Sequence, residues 1–313
     1  MRTSFFNALF EVAKKDPQVV LITADMGFGL LERFRDELPN QYINSGISEA
    51  NSISVAAGMA LLGKKAYVYS IAPFVTYRPF EQVRLDVCYH NANVKIIGVG
   101  SGLDYGQSGP THQATEDICV MRALPNMQVA CPADPVEAAA LPEAINQIKT
   151  PVFVRLGRGK EPVVHKKAPE MKAGKALSVF RNDSKTKKIV IFSTGNLVYN
   201  SVIAAQRIAA DGYSMEVFSM PWIKPIDGEL ILREADEAGL IITVEEHSEI
   251  GGLWSSVCEV LMKNGTCRPI KSIALPDAFQ KEVGSQAHLR VVNGLDPDGI
   301  EKRIRGWIAG ASL

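Results

Sequence analysis

Asn44-Ser45-Gly46-Ile47-Ser48-Glu49-Ala50-Asn51 is the stretch on which the fold turns. A strand-like segment ends at Asn44, a glycine lets the chain bend, and an acid stands at the mouth of a helix. From Ala50 that helix is rich in small residues: Ala50, Ser52, Ser54, Ala56, Ala57 and Gly58. Small residues let another backbone or a partner surface approach closely. Glu49 has two readings. As a first-turn acid it stabilises the helix dipole. As a directed carboxylate it can pair with a ring nitrogen and stabilise that ring's protonated tautomer.

The same strand–helix rhythm runs outward from this point. Val19 to Thr23, Ala66 to Ser70, Val94 to Val99, Met127 to Cys131 and Val152 to Arg155 read as strands. They are short and apolar on both faces, as strands of a covered parallel sheet are. Glu49 to Leu62, Arg78 to Tyr89, Glu116 to Leu124 and Asp134 to Gln147 carry helical periodicity between them. Asp134-Pro135 opens the last with a cap and a proline at the first helical position. Gly157 to Lys187, dominated by lysine, glycine and proline, reads as an exposed linker ending in one edge strand near Lys175 to Phe180.

Alternation then restarts, with strands at Lys188 to Thr194, Ser214 to Ser219, Leu240 to Glu245 and Pro269 to Ala274. Helices fall at Leu197 to Ala210 and Leu253 to Met262. The expected fold is α/β in two domains, each a mostly parallel sheet covered by helices. Residues 1–162 form the first, 163–187 the linker and 188–313 a smaller second domain. Length alone, 313 residues, favours two domains over one.

Lysine plus arginine and aspartate plus glutamate stand at 34 each, so no net positive field draws the chain to nucleic acid or an anionic membrane. Nowhere do 18 apolar residues run together, which argues against a membrane span, and Met1 to Phe10 carries no secretory pattern. Cys88, Cys119, Cys131, Cys258 and Cys267 lie far apart with no CxxC pair. They read as reduced thiols, and the expected location is cytoplasmic.

Phe74, Tyr77 and Phe80 run from a strand end into a helix. Aromatics so spaced are usually core, yet Phe74 is placed to line a cleft at a strand's carboxyl end, where α/β folds bind ligands. His112 closes the glycine-rich run from Gly98 to Pro110, which reads as flexible. It suits proton transfer or holding a hydroxyl, with a structural role joining two loops as the alternative. The run lacks a lysine-serine ending and is no P-loop. Arg155 and Arg158 frame Leu156-Gly157, and one of them is placed to bind an anion. Glu245-Glu246-His247 with Glu249 lacks HExxH spacing and makes a poor metal site; no metal site is expected in this chain.

These motifs, taken as an ordered set, resemble the C-terminal half of transketolase in its two-gene form. The resemblance rests on Leu21 to Asp25, Asn44 to Asn51, Phe80-Glu81-Gln82-Val83-Arg84, Gly109 to Gln113, Leu124-Pro125-Asn126 and Pro132-Ala133-Asp134, and it covers Thr3 to about Ala309. It implies a pyrimidine-binding domain followed by a transketolase C-terminal domain. Glu49 would then pair with the aminopyrimidine of thiamine diphosphate, and Phe74 would stack on it beside Ile71 and Tyr77. His112 would meet the donor's hydroxyl and carbonyl oxygen, and Arg158 and Arg2 would hold the substrate's phosphate. The resemblance makes Glu49 and His112 the catalytic pair.

Departures from the family pattern bear on substrate: Gly100 stands where the family often has a histidine, Ser108 where it has an acid, Gly29 where it has a serine, and Ile71 where it has an aromatic. They imply the same transfer of a two-carbon ketol unit on an altered sugar. A Gly-Asp-Gly diphosphate motif is missing from the sequence. The resemblance therefore implies that Mg2+ (or Ca2+) and the diphosphate are held by an N-terminal partner subunit, in an α2β2 assembly. Two alternatives remain: a thiamine-dependent ketol synthase of the deoxyxylulose-phosphate-synthase type, and a non-catalytic partner subunit.

Overall fold

A computed structural model describes residues 1–310. The strands are β1 (Val19–Thr23), β2 (Tyr42–Asn44), β3 (Lys65–Ile71), β4 (Val94–Val99), β5 (Gln128–Ala130), β6 (Val152–Leu156), β7 (Leu177–Arg181), β8 (Lys188–Ser193), β9 (Met215–Ser219), β10 (Trp222–Lys224), β11 (Ala238–Ser248) and β12 (Ile270–Leu275). The helices are α1 (Arg2–Lys15), α2 (Glu32–Glu37), α3 (Glu49–Leu61), α4 (Ala72–Thr76), α5 (Phe80–Gln82), α6 (Asp117–Ala123), α7 (Pro135–Asn146), α8 (Val198–Ala210), α9 (Gly228–Glu237), α10 (Leu253–Lys263), α11 (Gln286–Asn293) and α12 (Pro297–Gly310). A π-helical turn, Val83–Tyr89, continues α5.

Two sheets organise these elements. The first has seven strands in the order β10-β5-β6-β4-β3-β1-β2, parallel except where β10 runs against β5. The second has five, β12-β11-β8-β9-β7, parallel except for the β7 edge. Strand chemistry accounts for the layering, because successive side chains point to opposite faces. Along β1, Val20 and Ile22 enter one apolar cluster while Val19 and Leu21 enter another. Along β3, Val68 faces the first cluster, and Tyr67 and Tyr69 face the second. Helix α3 closes the first face with Ile53, Ala56 and Ala57, and α1 closes the second with Phe5, Phe6, Leu9 and Phe10.

The mostly parallel two-sheet reading holds, and most expected elements fall within a residue or two of their predicted bounds. Other features differ. Helix α1, like α2, α4, α9, α11 and α12, has no counterpart among the expected elements, although its buried Phe5, Phe6, Leu9, Phe10, Val12 and Ala13 follow an amphipathic pattern. β10, from beyond the linker, completes the first sheet by pairing Trp222 with Ala130; three residues between prolines are too few to show a period. The glycine-rich run is not loose. Gly102 and Ala114 exchange backbone hydrogen bonds at 3.0 Å, and Gly106–Thr111 forms a 3-10 turn. No helix among the described residues is long and apolar enough to cross a membrane.

Candidate active site

The carboxyl ends of β1, β2, β3, β4 and β6 all open on one side, where α/β sheets bind ligands. The β2–α3 turn is set by Asn44, whose Oδ1 accepts from the backbone of Asp25 at 3.1 Å and Gly46 at 3.0 Å. Gly46 has φ of 71°, which the turn requires and only glycine adopts without strain. Ser45 and Ser52 lock the first helical turn through a 2.6 Å hydroxyl contact. Glu49 thus begins α3 with only 5% of its surface exposed. Ser70 Oγ, at the end of β3, donates to Glu49 Oε1 at 3.3 Å, and Arg78 donates to Oε2 at 3.3 Å.

β3 ends at Ile71, and α4 follows at once, presenting Phe74 to the same cleft. The Phe74 ring meets the His112 ring edge-on at 5.0 Å, while the Arg78 guanidinium lies over it at 4.0 Å. Phe74 thus touches His112 and shares Arg78 with Glu49, bringing three separate segments together. Tyr77 sits at the end of α4, its hydroxyl donating to Glu116 at 3.0 Å. His112 Nδ1 shares a 2.9 Å hydrogen bond with Thr111 Oγ1.

A second group adjoins His112. The Tyr105 ring lies 6.0 Å from the His112 ring, and Arg158 covers its face at 4.9 Å. Burial pushes the Tyr105 phenol up, with Arg158 and then Arg2 pulling the other way. Ser108 is exposed and shares a pocket of about 200 Å³ with Asp104, Tyr105, Arg158 and Gln286. Burial, with Glu246 adding repulsion, pushes the Asp104 carboxyl up to about 7. Gly100 has φ of 86°, and a Cβ there would overlap the Tyr105 ring. Arg2 opens α1, with its Nε buried and unpaired among the described residues.

Burial separates Arg155 from Arg158. Arg155 is spent on structure, donating Nε to both Asp117 oxygens and an Nη to the carbonyls of Ala114 and Glu246. Arg158 is exposed; its backbone N–H donates to Asp104, and among the described residues its guanidinium makes no hydrogen bond and lies over the Tyr105 ring. The acidic run on β11 is likewise occupied. Glu245 caps α10 through Leu253 and Trp254, Glu246 takes Leu103 and Gln286, and His247 accepts from Cys119. No group of three His, Cys, Asp or Glu side chains among the described residues is placed to hold a metal.

Sequence reasoning missed Ser70, Arg78 and Tyr105. Arg78 lies in the turn between α4 and α5, four residues after Phe74. Tyr105 could be found only by knowing that Gly100 leaves space for a ring.

The donor set suits a flat heteroaromatic ring, with a buried accepting carboxylate beside an aromatic face. A planar guanidinium already lies across both. The donor set does not suit a metal ion. Such a cleft, at the strand ends of an open parallel sheet backed by a second α/β layer, defines a ligand-binding chain of the two-sheet α/β class.

Comparison with known proteins narrows that class. Residues 1–162 match the family described as transketolase, pyrimidine binding domain, and residues 179–300 match transketolase, C-terminal domain. The chain is 37% identical over 304 residues to an apulose-4-phosphate transketolase subunit of Phocaeicola vulgatus, spanning 96% of this chain and 95% of that protein. It is 35% identical over 299 residues to the 6-deoxy-6-sulfo-D-fructose transketolase subunit SqwH of a Clostridium species, spanning 94% and 90%. A solved structure described as a split gene transketolase, inactive beta4 tetramer, matches with a TM-score of 0.88 and 32% identity over 97% of each chain. The chain belongs to the transketolase family, carrying its pyrimidine-binding and C-terminal domains.

Proposed function

We propose that this chain is the C-terminal subunit of a two-subunit transketolase, moving a two-carbon ketol unit from an anionic ketose to an aldose. The observation that carries the reading is the buried Glu49 carboxylate set beside the Phe74 face at the strand ends. Thiamine diphosphate, when bound, supplies the carbanion chemistry that cleaves and reforms the ketose carbon–carbon bond. Glu49 accepts a hydrogen bond from the aminopyrimidine nitrogen and so selects the reactive tautomer. Phe74, flanked by Ile71 and Tyr77, holds the ring flat. His112 donates to the sugar's carbonyl or hydroxyl oxygen and can move a proton there. Arg158 and Arg2 meet the anionic end, with Ser108 and the space beside Gly100 and Tyr105 shaping the sugar pocket.

Two relatives belong to transketolases of apulose 4-phosphate and of 6-deoxy-6-sulfo-D-fructose, sugars ending in phosphate or sulfonate. Both suit a guanidinium partner. The diphosphate and its Mg2+ (or Ca2+) fall to an N-terminal subunit, and two copies of each subunit close the assembly. Exposed Ile47, Val55, Leu85 and Tyr89 flank the mouth of α3 and its neighbouring π turn, an apolar surface of the kind partners cover. Residues 1–162 would act as the pyrimidine domain, 163–187 as the linker and 188–313 as the C-terminal domain; 311–313 lie outside the described residues. The setting is cytoplasmic.

The test mixes both subunits with thiamine diphosphate and Mg2+ and follows ketose donors by mass spectrometry. Turnover requires both chains; turnover by this chain alone sinks the shared site. Glu49→Gln should cost at least about a hundredfold in kcat, in line with losing a positioned proton-handling group, while circular dichroism shows an intact fold. A near wild-type rate would remove Glu49 from the mechanism.

A further inference from the structure

We infer that Arg78 is a built-in plug of the pyrimidine pocket: its guanidinium takes the place of the cofactor's ring and must leave when that ring enters. The inference rests on the function proposed above and adds a residue and a step to it. Arg78 Cζ stands 4.0 Å from the Phe74 centroid, and its Nη1 stands 3.3 Å from Glu49 Oε2. Those are the face and the carboxylate assigned to the aminopyrimidine. With the guanidinium carbon 4.0 Å from the ring centroid, no second ring fits between them.

The substitution makes chemical sense. A guanidinium is planar, stacks on aromatic faces and presents in-plane N–H donors to a carboxylate, as an aminopyrimidine does. A carboxylate whose side chain is only 6% exposed is costly without a partner. Ser70 supplies one 3.3 Å hydrogen bond and no charge, which leaves the cation of Arg78 to hold Glu49 in place.

Arg78 is also built to yield. Its side chain is 52% exposed, and among the described residues it donates to no side chain but Glu49, so it can swing into solvent without breaking other such bonds. His112 is already edge-on to Phe74, so the pocket walls keep their places while the plug is exchanged. The plug thus keeps the pocket formed in the free subunit and makes the ring compete for it. A cofactor fragment carrying only the ring gains little from that exchange. Thiamine diphosphate, anchored also by the partner subunit, gains enough to complete it.

The test measures the thiamine diphosphate Kd of the reconstituted two-subunit complex, with Mg2+ present, by tryptophan fluorescence quenching. Arg78→Ala should lower Kd roughly two- to fivefold, the size expected for removing a half-exposed ion pair from competition. An unchanged or raised Kd overturns the plug. Should the alanine variant fail to fold, Arg78→Lys takes its place, since an ammonium cannot cover Phe74 as a plane does. Its Kd should also fall below wild type, and a Kd equal to or above wild type overturns the inference. A structure of the loaded complex gives the second readout, with Arg78 expected off the Phe74 face; Arg78 still stacked there beside bound cofactor refutes it. Glu49→Gln separates the two levels of argument. If the wild-type complex binds no thiamine diphosphate, the proposed function fails. If it binds and Glu49→Gln weakens it while Arg78→Ala does not tighten it, only the plug fails.

Discussion

At the scale of single residues, Gly100 shows how one missing side chain reorganises a site. Its φ of 86° disfavours any L side chain, and a Cβ would overlap the Tyr105 ring. Tyr105 occupies the space a larger residue would need, and from there it faces His112 and carries Arg158. Gly100→Ala should therefore destabilise the chain by about 1–3 kcal/mol, the cost of a left-handed non-glycine residue, with a further steric term. Urea denaturation of Gly100→Ala, Tyr105→Ala and the double variant separates the two. Tyr105→Ala relieves the overlap and leaves the backbone strain, so a positive coupling is expected; strictly additive losses would mean that the ring simply moves aside. Glu49, Phe74, His112 and Arg158 stood out in the sequence because each lies in a motif that follows a strand. Tyr105, Ser70 and Arg78 were not, because their importance comes from what they touch across the fold. Arg155 and Arg158 look equivalent in sequence, and only burial separates the structural one from the exposed one.

At the scale of elements, capping chemistry carried the reading well and the linker carried it poorly. Asp134 Oδ1 accepts from Val136 and Glu137, the helix start that Asp134-Pro135 foretold. Its other oxygen accepts the backbone N–H groups of Val164 and His165, tying the supposedly exposed linker onto α7. His165 Nε2 completes the clasp on Glu137 Oε1 at 2.7 Å, with Ser219 on the same oxygen. Lysine-rich composition hides such a contact, since one anchored histidine leaves no period. Burial works to lower the His165 pKa, but the hydrogen bond and charge of Glu137, with Asp134, outweigh it and hold the imidazole above its ordinary 6.5. A histidine raised in the fold binds more protons folded than unfolded between the two values. Its contribution is therefore complete below 6.5 and is lost as pH rises through the folded value. His165→Gln should cost on the order of 1 kcal/mol in mildly acidic buffer and next to nothing in alkaline buffer. Limited proteolysis of 163–187 against pH reads this directly; a wild-type cleavage rate that stays flat with pH would dismiss the clasp.

At the scale of the whole molecule, the two sheets behave as one body, which a reading in two halves does not anticipate. One apolar cluster runs from Val20, Ile53 and Val68 through Met220 and Ile223 to Val257 and Leu261. β10 adds an edge strand to the opposite sheet, and the buried Arg155 bridges the Ala114 and Glu246 carbonyls of the two halves. Asp117, fully buried, supplies the only carboxylate within 4.0 Å of that guanidinium among the described residues. Removing one member of such a pair leaves a buried charge without its partner, whereas replacing both by apolar groups is far milder. Asp117→Asn should thus cost about 3–5 kcal/mol, and Asp117→Leu with Arg155→Met distinctly less. The loop carrying His112 ends at Ala114, so the single variant should also loosen the site, seen as faster amide exchange at 109–115. Denaturation midpoints and exchange measured on wild type and both variants decide the matter. Equal losses in the single and double variants would mean that Arg155 holds the halves together through its carbonyl bonds, and that the Asp117 charge is incidental.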